Sequence, residues 1–142
     1  MIVLAGRNLA KMEAAKAELD ELGVESCLCK TDIADRVQVQ ALADYAASLG
    51  DVTQVIHTSG VSPSDTATEN IMKINAAGTV NMVEAFYPVL AEGGVMINFS
   101  SVAAYTMPQT DEWTQAFEAW NEPDFYDRLL ALVWPMPCPR SL

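Results

Sequence analysis

The stretch Gly93–Tyr105, GGVMINFSSVAAY, decides how the rest of the chain is read. After a Gly-Gly turn, Val95, Met96, Ile97 and Phe99 make a short apolar run, the pattern of a buried strand in a parallel sheet. The run ends in two serines, Ser100 and Ser101. Residues at the carboxyl end of such a strand lie where open α/β sheets bind ligands. A serine there raises the question of which residue moves its proton.

Working back toward the N-terminus, strand and helix patterns alternate. IVLAG (2–6) reads as a strand. NLAKMEAAKAELDELG (8–23) reads as a helix with Leu9, Met12, Leu19 and Leu22 on one broad face and Gly23 as its stop. VESCLCKTD (24–32) is a second strand. DRVQVQALADYAASLG (35–50) is a second helix, opened by Asp35 and Gln38 in capping-box spacing and ended by Gly50. TQVIHTSG (53–60) is a third strand. The segment 67–93 reads as one long helix bent near Pro88, and the serine strand is the fourth.

Such alternation implies βαβ units, right-handed crossovers and a partial, doubly wound parallel α/β sheet of about four strands. Taken alone, four strands favour the flavodoxin-like order 2-1-3-4. Beyond Tyr105 the character changes: acidic, Trp-bearing segments predict two short helices near 110–120 and 124–133. The last stretch, WPMPCPRSL, has prolines in alternate positions and reads as an unstructured tail. The organisation expected is therefore a sheet domain over 1–105, a helical segment over 106–134 and a tail over 135–142.

Composition limits the partners. The 142 residues include 51% hydrophobic ones, enough for one core. Nineteen acidic against eight basic residues give a formal net charge of −11, which argues against a nucleic-acid or anionic membrane surface. No apolar run approaches a membrane span, and MIVLAGR lacks a signal-peptide pattern, so a cytoplasmic protein is expected. Cys27 and Cys29 share one strand face, and His57 is the only histidine, which leaves no metal-ligand set and predicts buried, reduced thiols.

Five pieces in order, VLAGRN (3–8), TDI (31–33), IHTSGV (56–61), INAAGT (74–79) and INFSSVAA (97–104), resemble the short-chain dehydrogenase/reductases, a Rossmann-type NAD(P)-dependent family. The resemblance covers roughly residues 1–105. It implies that Arg7, just past the first strand, pairs with the 2′-phosphate of NADP, a guanidinium task, with Asn8 assisting. NADP is thereby expected over NAD. Asp32 would accept the adenine amino group beside the backbone of Ile33, and Gly60 would let the chain approach the cofactor closely. His57, Thr58 and Ser59 depart from the family's usual Asn-Asn-Ala. His57 is thus read either as a cofactor contact or as a hydrogen-bonded strand-end residue. Asn75, a mid-helix amide read as buried, would bend the helix and hold a relay water, and Ser101 would bind the oxygen of an alcohol or carbonyl substrate.

The same resemblance implies a tyrosine and, one helical turn on, a lysine that lowers the phenol pKa. At family spacing those places hold Thr114 and Glu118, and every lysine (11, 16, 30 and 73) precedes the serine strand. The family's first strand and Gly-rich turn also have no counterpart in the pattern. Without that central strand, two sheet edges are expected to stand open or to close on each other. The reading is then an incomplete member of the family, inactive by itself, with the helices that usually make its homo-oligomer missing. The rivals are a non-catalytic nucleotide-binding or interaction module, and a Rossmann-like methyltransferase, which the serine strand disfavours.

Overall fold

The computed structural model describes residues 1–64, 66–106 and 110–133. The first strand and helix are β1 (Ile2–Gly6) and α1 (Leu9–Glu21), followed by β2 (Ser26–Lys30), α2 (Arg36–Ser48) and β3 (Val52–His57). Next comes α3 (Thr68–Ile71), a π-helical turn (Met72–Ala77) and α4 (Gly78–Phe86), then a 3₁₀ turn (Tyr87–Val89) and β4 (Leu90–Asn98). A second 3₁₀ turn (Val102–Thr106) precedes α5 (Asp111–Glu118) and α6 (Phe125–Val133).

Local chemistry sets several of these boundaries. Asn8 caps α1, its Oδ1 accepting the Lys11 N–H at 3.1 Å. Asp35 caps α2 by accepting the N–H groups of Val37 and Gln38, while Gln38 Nε2 donates back to its second oxygen at 2.8 Å. Gly23, with φ +71°, turns the chain into β2.

All strand pairing is parallel, β1 with β2 and β3 with β4, but the order 2-1-3-4 is broken in the middle. β1 and β3 share no ladder, so the four strands make two two-stranded sheets and the open edges do not close on each other. What joins the halves is a common core. Val39, Leu42 and Ala43 of α2 and Met82, Ala85 and Phe86 of α4 pack with Val55 of β3. Val3 and Cys29 reach that core from one sheet and Met96 from the other. Each fully buried large side chain is worth about 1.5–3 kcal/mol, so helix packing across the break holds the two sheets together.

Three expectations need correction. The long helix ends at Phe86, and β4 starts only at Leu90. Pro88, lacking an N–H, sits in the 3₁₀ turn and ends the helix rather than bending it. The serine strand is buried on one side only: Met96 packs inward, while Val95 and Ile97 are each 47% exposed beside Ile56 at 59%. On α1 only Met12 is buried, and Cys27 and Cys29 are half-buried free thiols. Among the described residues, no helix is long and apolar enough to cross a membrane. The stretch 134–142, with its alternate prolines, lies outside the described residues.

Candidate functional site

Beyond the carboxyl ends of β1 and β2 the chain surrounds a cavity of about 340 Å³, at the small end of the range for ligand pockets. Arg7, Asp32 and Ala34 line it from the β1–β2 half. Val61, Thr66, Asn70, Lys73 and Ile74 line it from the loop after β3 and the helix that follows. Two cations and one carboxylate thus face one space in a chain of net charge −11. Among the described cations outside it, three are engaged with carboxylates, Lys16 with Asp20 at 2.8 Å, Arg36 with Glu84 at 2.9 Å and Arg128 with Asp124 at 2.8 Å, while Lys11 and Lys30 make no ion pair.

Asp32 is fixed by two local bonds. Its Oδ1 accepts the Ala34 N–H at 3.0 Å, and its own N–H donates to Gln38 Oε1 at 3.0 Å. Ile33 acts through packing and backbone. Its carbonyl accepts from Asn81 Nδ2 at 2.9 Å, and its side chain lies where a Cβ on Gly78 would meet it at 2.9 Å. Gly78 therefore lets α4 approach the end of β2 closely.

The π-helical turn brings Asn75 back to the loop after β3. Asn75 Oδ1 accepts the Val61 N–H at 2.9 Å and its Nδ2 donates to the Val61 carbonyl at 2.8 Å, a two-pronged clamp. Gly60 passes beside it, with an added Cβ 3.5 Å from Asn75 Oδ1. The amide is thus exposed rather than buried, and its polar atoms are engaged with backbone.

His57 does not line the cavity. It is buried at the end of β3, where its Nε2 lies 3.1 Å from Thr79 Oγ1. The threonine hydroxyl donates its one proton to the Asn75 carbonyl at 2.7 Å, so the imidazole must donate from Nε2–H. Burial lowers the His57 pKa below its ordinary 6.5. With a depressed folded-state value, the unfolded chain takes up the proton first, and stability falls as pH drops below about 6.5. A melt series from pH 7.5 to 5.5 is expected to lose at most about 1.4 kcal/mol per pH unit, and His57→Gln should flatten it. The carboxyls of Asp35, Glu112 and Asp124 are also held low, each chiefly by a side-chain hydrogen bond: from Gln38, Thr110 and Arg128 respectively. Their stabilisation is lost only at lower pH, near and below the ordinary carboxylate range of about 4. An unchanged slope in His57→Gln would remove the histidine from this account.

The remaining residues singled out in the sequence lie apart. Asn8 is engaged as the α1 cap. Ser101 is exposed past β4, its Oγ accepting the Ala103 N–H at 3.2 Å, and it does not line the cavity. Tyr105 is 91% exposed. Thr114 Oγ1 donates to the carbonyl of Thr110, the residue that caps α5. The cavity therefore gathers Arg7 and Asp32, with Ile33 and Gly60 on its supporting backbone. Lys73, Thr66 and Asn70 had no signal in the sequence.

Comparison with known proteins agrees with this layout. The family profile described as short chain dehydrogenase matches residues 1–113. The chain is 29% identical over 108 residues to Short-chain dehydrogenase/reductase bsc3 of Alternaria brassicicola, covering 76% of this chain and 39% of that protein. It is 27% identical over 109 residues to human Carbonyl reductase [NADPH] 3, covering 71% of this chain and 39% of the relative. A short chain dehydrogenase/reductase from Burkholderia phymatum, solved in complex with NAD, superposes with a TM-score of 0.66 at 22% identity. That match covers 93% of this chain and 48% of the other. A Burkholderia cenocepacia short chain dehydrogenase solved with NADP gives 0.62 at 18% identity, covering 92% and 54%. The chain thus spans about two-fifths of the length of these curated relatives and about half that of the solved structures. With the profile running through both half-sheets, the cavity and the serine strand, the chain belongs to the short-chain dehydrogenase family, in its partial Rossmann-type α/β form.

Proposed function

We propose that this chain is the nucleotide-binding part of an oxidoreductase that moves hydride between NADP(H) and a small alcohol or carbonyl substrate. The observation that carries the reading is the cavity past β1 and β2, with Arg7 and Asp32 on its wall. Its fit to the adenosine phosphate half of a dinucleotide is chemical. A guanidinium with no ion pair among the described residues suits a 2′-phosphate, and a carboxylate with one locally anchored oxygen suits an amino group. When bound, the nicotinamide supplies the hydride. Arg7 is assigned the phosphate, Asp32 and the Ile33 backbone the adenine edge, and Gly60 the close backbone approach. Asn75 supports these by holding Val61 in place. Asn8 and His57 serve by capping and bracing, and Ser101 is left to orient substrate oxygen.

Proton transfer is the missing function. Thr114 and Glu118 stand where family spacing calls for tyrosine and lysine, and neither supplies a phenol activated by an ammonium. We therefore assign residues 1–105 to a partial nucleotide-binding domain, 106–134 to an inserted helical segment and 135–142 to a tail. Little or no turnover is expected from this chain alone. The location proposed is cytoplasmic, with neither nucleic acid nor membrane as partner.

A thermal melt of the purified 142-residue chain with NADPH and with NADH tests this. NADPH at 100 times its Kd should add about 2.7 kcal/mol to stability, with NADH doing less. A transition indifferent to both cofactors would overturn the binding assignment. Carbonyl reduction by the pure chain would overturn the assignment of inactivity.

A further inference from the structure

We infer that Lys73 is a second cation of the phosphate site and a determinant of NADP over NAD, supplied from the half of the molecule opposite Arg7. The inference rests on the proposed NADP reading and adds a residue to it. Lys73 sits in the π-helical turn and lines the same 340 Å³ cavity as Arg7. It is exposed, and among the described residues it has no carboxylate within ion-pair distance. Asp35 is the acidic group whose titration feels it, and both Asp35 oxygens already accept hydrogen bonds, from Val37, Gln38 N–H and Gln38 Nε2. Asp32, the carboxylate on the wall, already takes the Ala34 N–H. Among the described lining residues the two cations, Arg7 and Lys73, outnumber the one carboxylate, Asp32, an excess of positive charge that suits a phosphate dianion.

The placement also has a mechanical side. Arg7 follows β1, whereas Lys73 is tied to the end of β3 through the Asn75–Val61 clamp and the His57–Thr79 bond. β1 and β3 share no ladder. A phosphate held by both cations links two half-sheets that backbone hydrogen bonds leave separate.

Calorimetric titration of the full chain with adenosine 2′,5′-bisphosphate and with 5′-AMP tests the inference. Lys73→Met should weaken the bisphosphate about tenfold, the loss of one charge-assisted hydrogen bond, and weaken AMP much less. Lys73→Arg should restore most of it. Lys16→Met, which removes a cation engaged with Asp20, should leave both ligands unchanged. An exposed position keeps the fold intact in these variants. If the parent chain prefers the bisphosphate but Lys73→Met is unaffected, or weakens both ligands equally, this inference fails alone. If the parent chain shows no preference for the bisphosphate, the NADP reading itself fails.

Discussion

Replacing Gly94 with valine is expected to cost about 3 kcal/mol of stability, a large share of the roughly 5–15 kcal/mol that holds a domain folded. A Cβ at this position would sit 2.9 Å from the Ala91 carbonyl oxygen and 3.2 Å from those of Thr53 and Val52. All three atoms are backbone, so no side chain can turn aside to make room. The crowding arises because Val52 pairs with Leu90 and Gln54 with Val95, which folds residues 91–94 tightly against β3. Gly93 is glycine for a different reason: its φ of +76° is left-handed, and nothing lies within 4 Å of its added Cβ. Gly93→Asn should therefore cost only about 1 kcal/mol, since asparagine visits that conformation. Urea melts followed by circular dichroism separate the two. Equal losses at 93 and 94 would mean that strain in the turn, not crowding by the Ala91, Thr53 and Val52 carbonyls, dictates the Gly-Gly pair.

The same turn marks the limit of what the sequence discloses. Elements were legible where local chemistry sets them: the Asp35–Gln38 cap, the stop at Gly23, and the alternation of apolar runs with helical periods. Membership of a Rossmann-type family was legible because short pieces kept order and spacing along the chain. The break between β1 and β3 was not, because an apolar run reads alike whether or not a strand lies beside it. The exposure of Ile56, Val95 and Ile97 was hidden for the same reason: periodicity says which residues share a face, not what covers it. Within the cavity, Arg7 and Asp32 follow strand ends and could be picked out by position. Lys73 could not, since a π-helical turn shifts which side chains share a face and no 3.6-residue pattern locates it. His57 and Thr79 are 22 residues apart, so their bond appears only in three dimensions.

Leu129→Ala is expected to cost about 2–5 kcal/mol, and the damage should spread to the cavity. Leu129 is fully buried, with Ala116 and Phe125, between α5 and α6. Met72, Ala76 and Val80 pack against that cluster, and two of these three belong to the π-helical turn. Trp113 and Phe117 stack at 5.9 Å on the same side, and Tyr126 Oη donates to the Glu69 carbonyl at 3.3 Å. The helical pair therefore backs the segment that carries Lys73 and Asn75, although none of its residues lines the cavity. Truncating Leu129 leaves a void that the short helices close only in part, which loosens their hold on the turn. Hydrogen exchange should show lost protection through α5, α6 and residues 72–80, with β1 and β2 unchanged. NADPH affinity should fall in step, because a mobile Lys73 must be ordered again on binding. Exchange confined to α5 and α6, with NADPH binding intact, would show instead that the π-helical turn stands without support from behind.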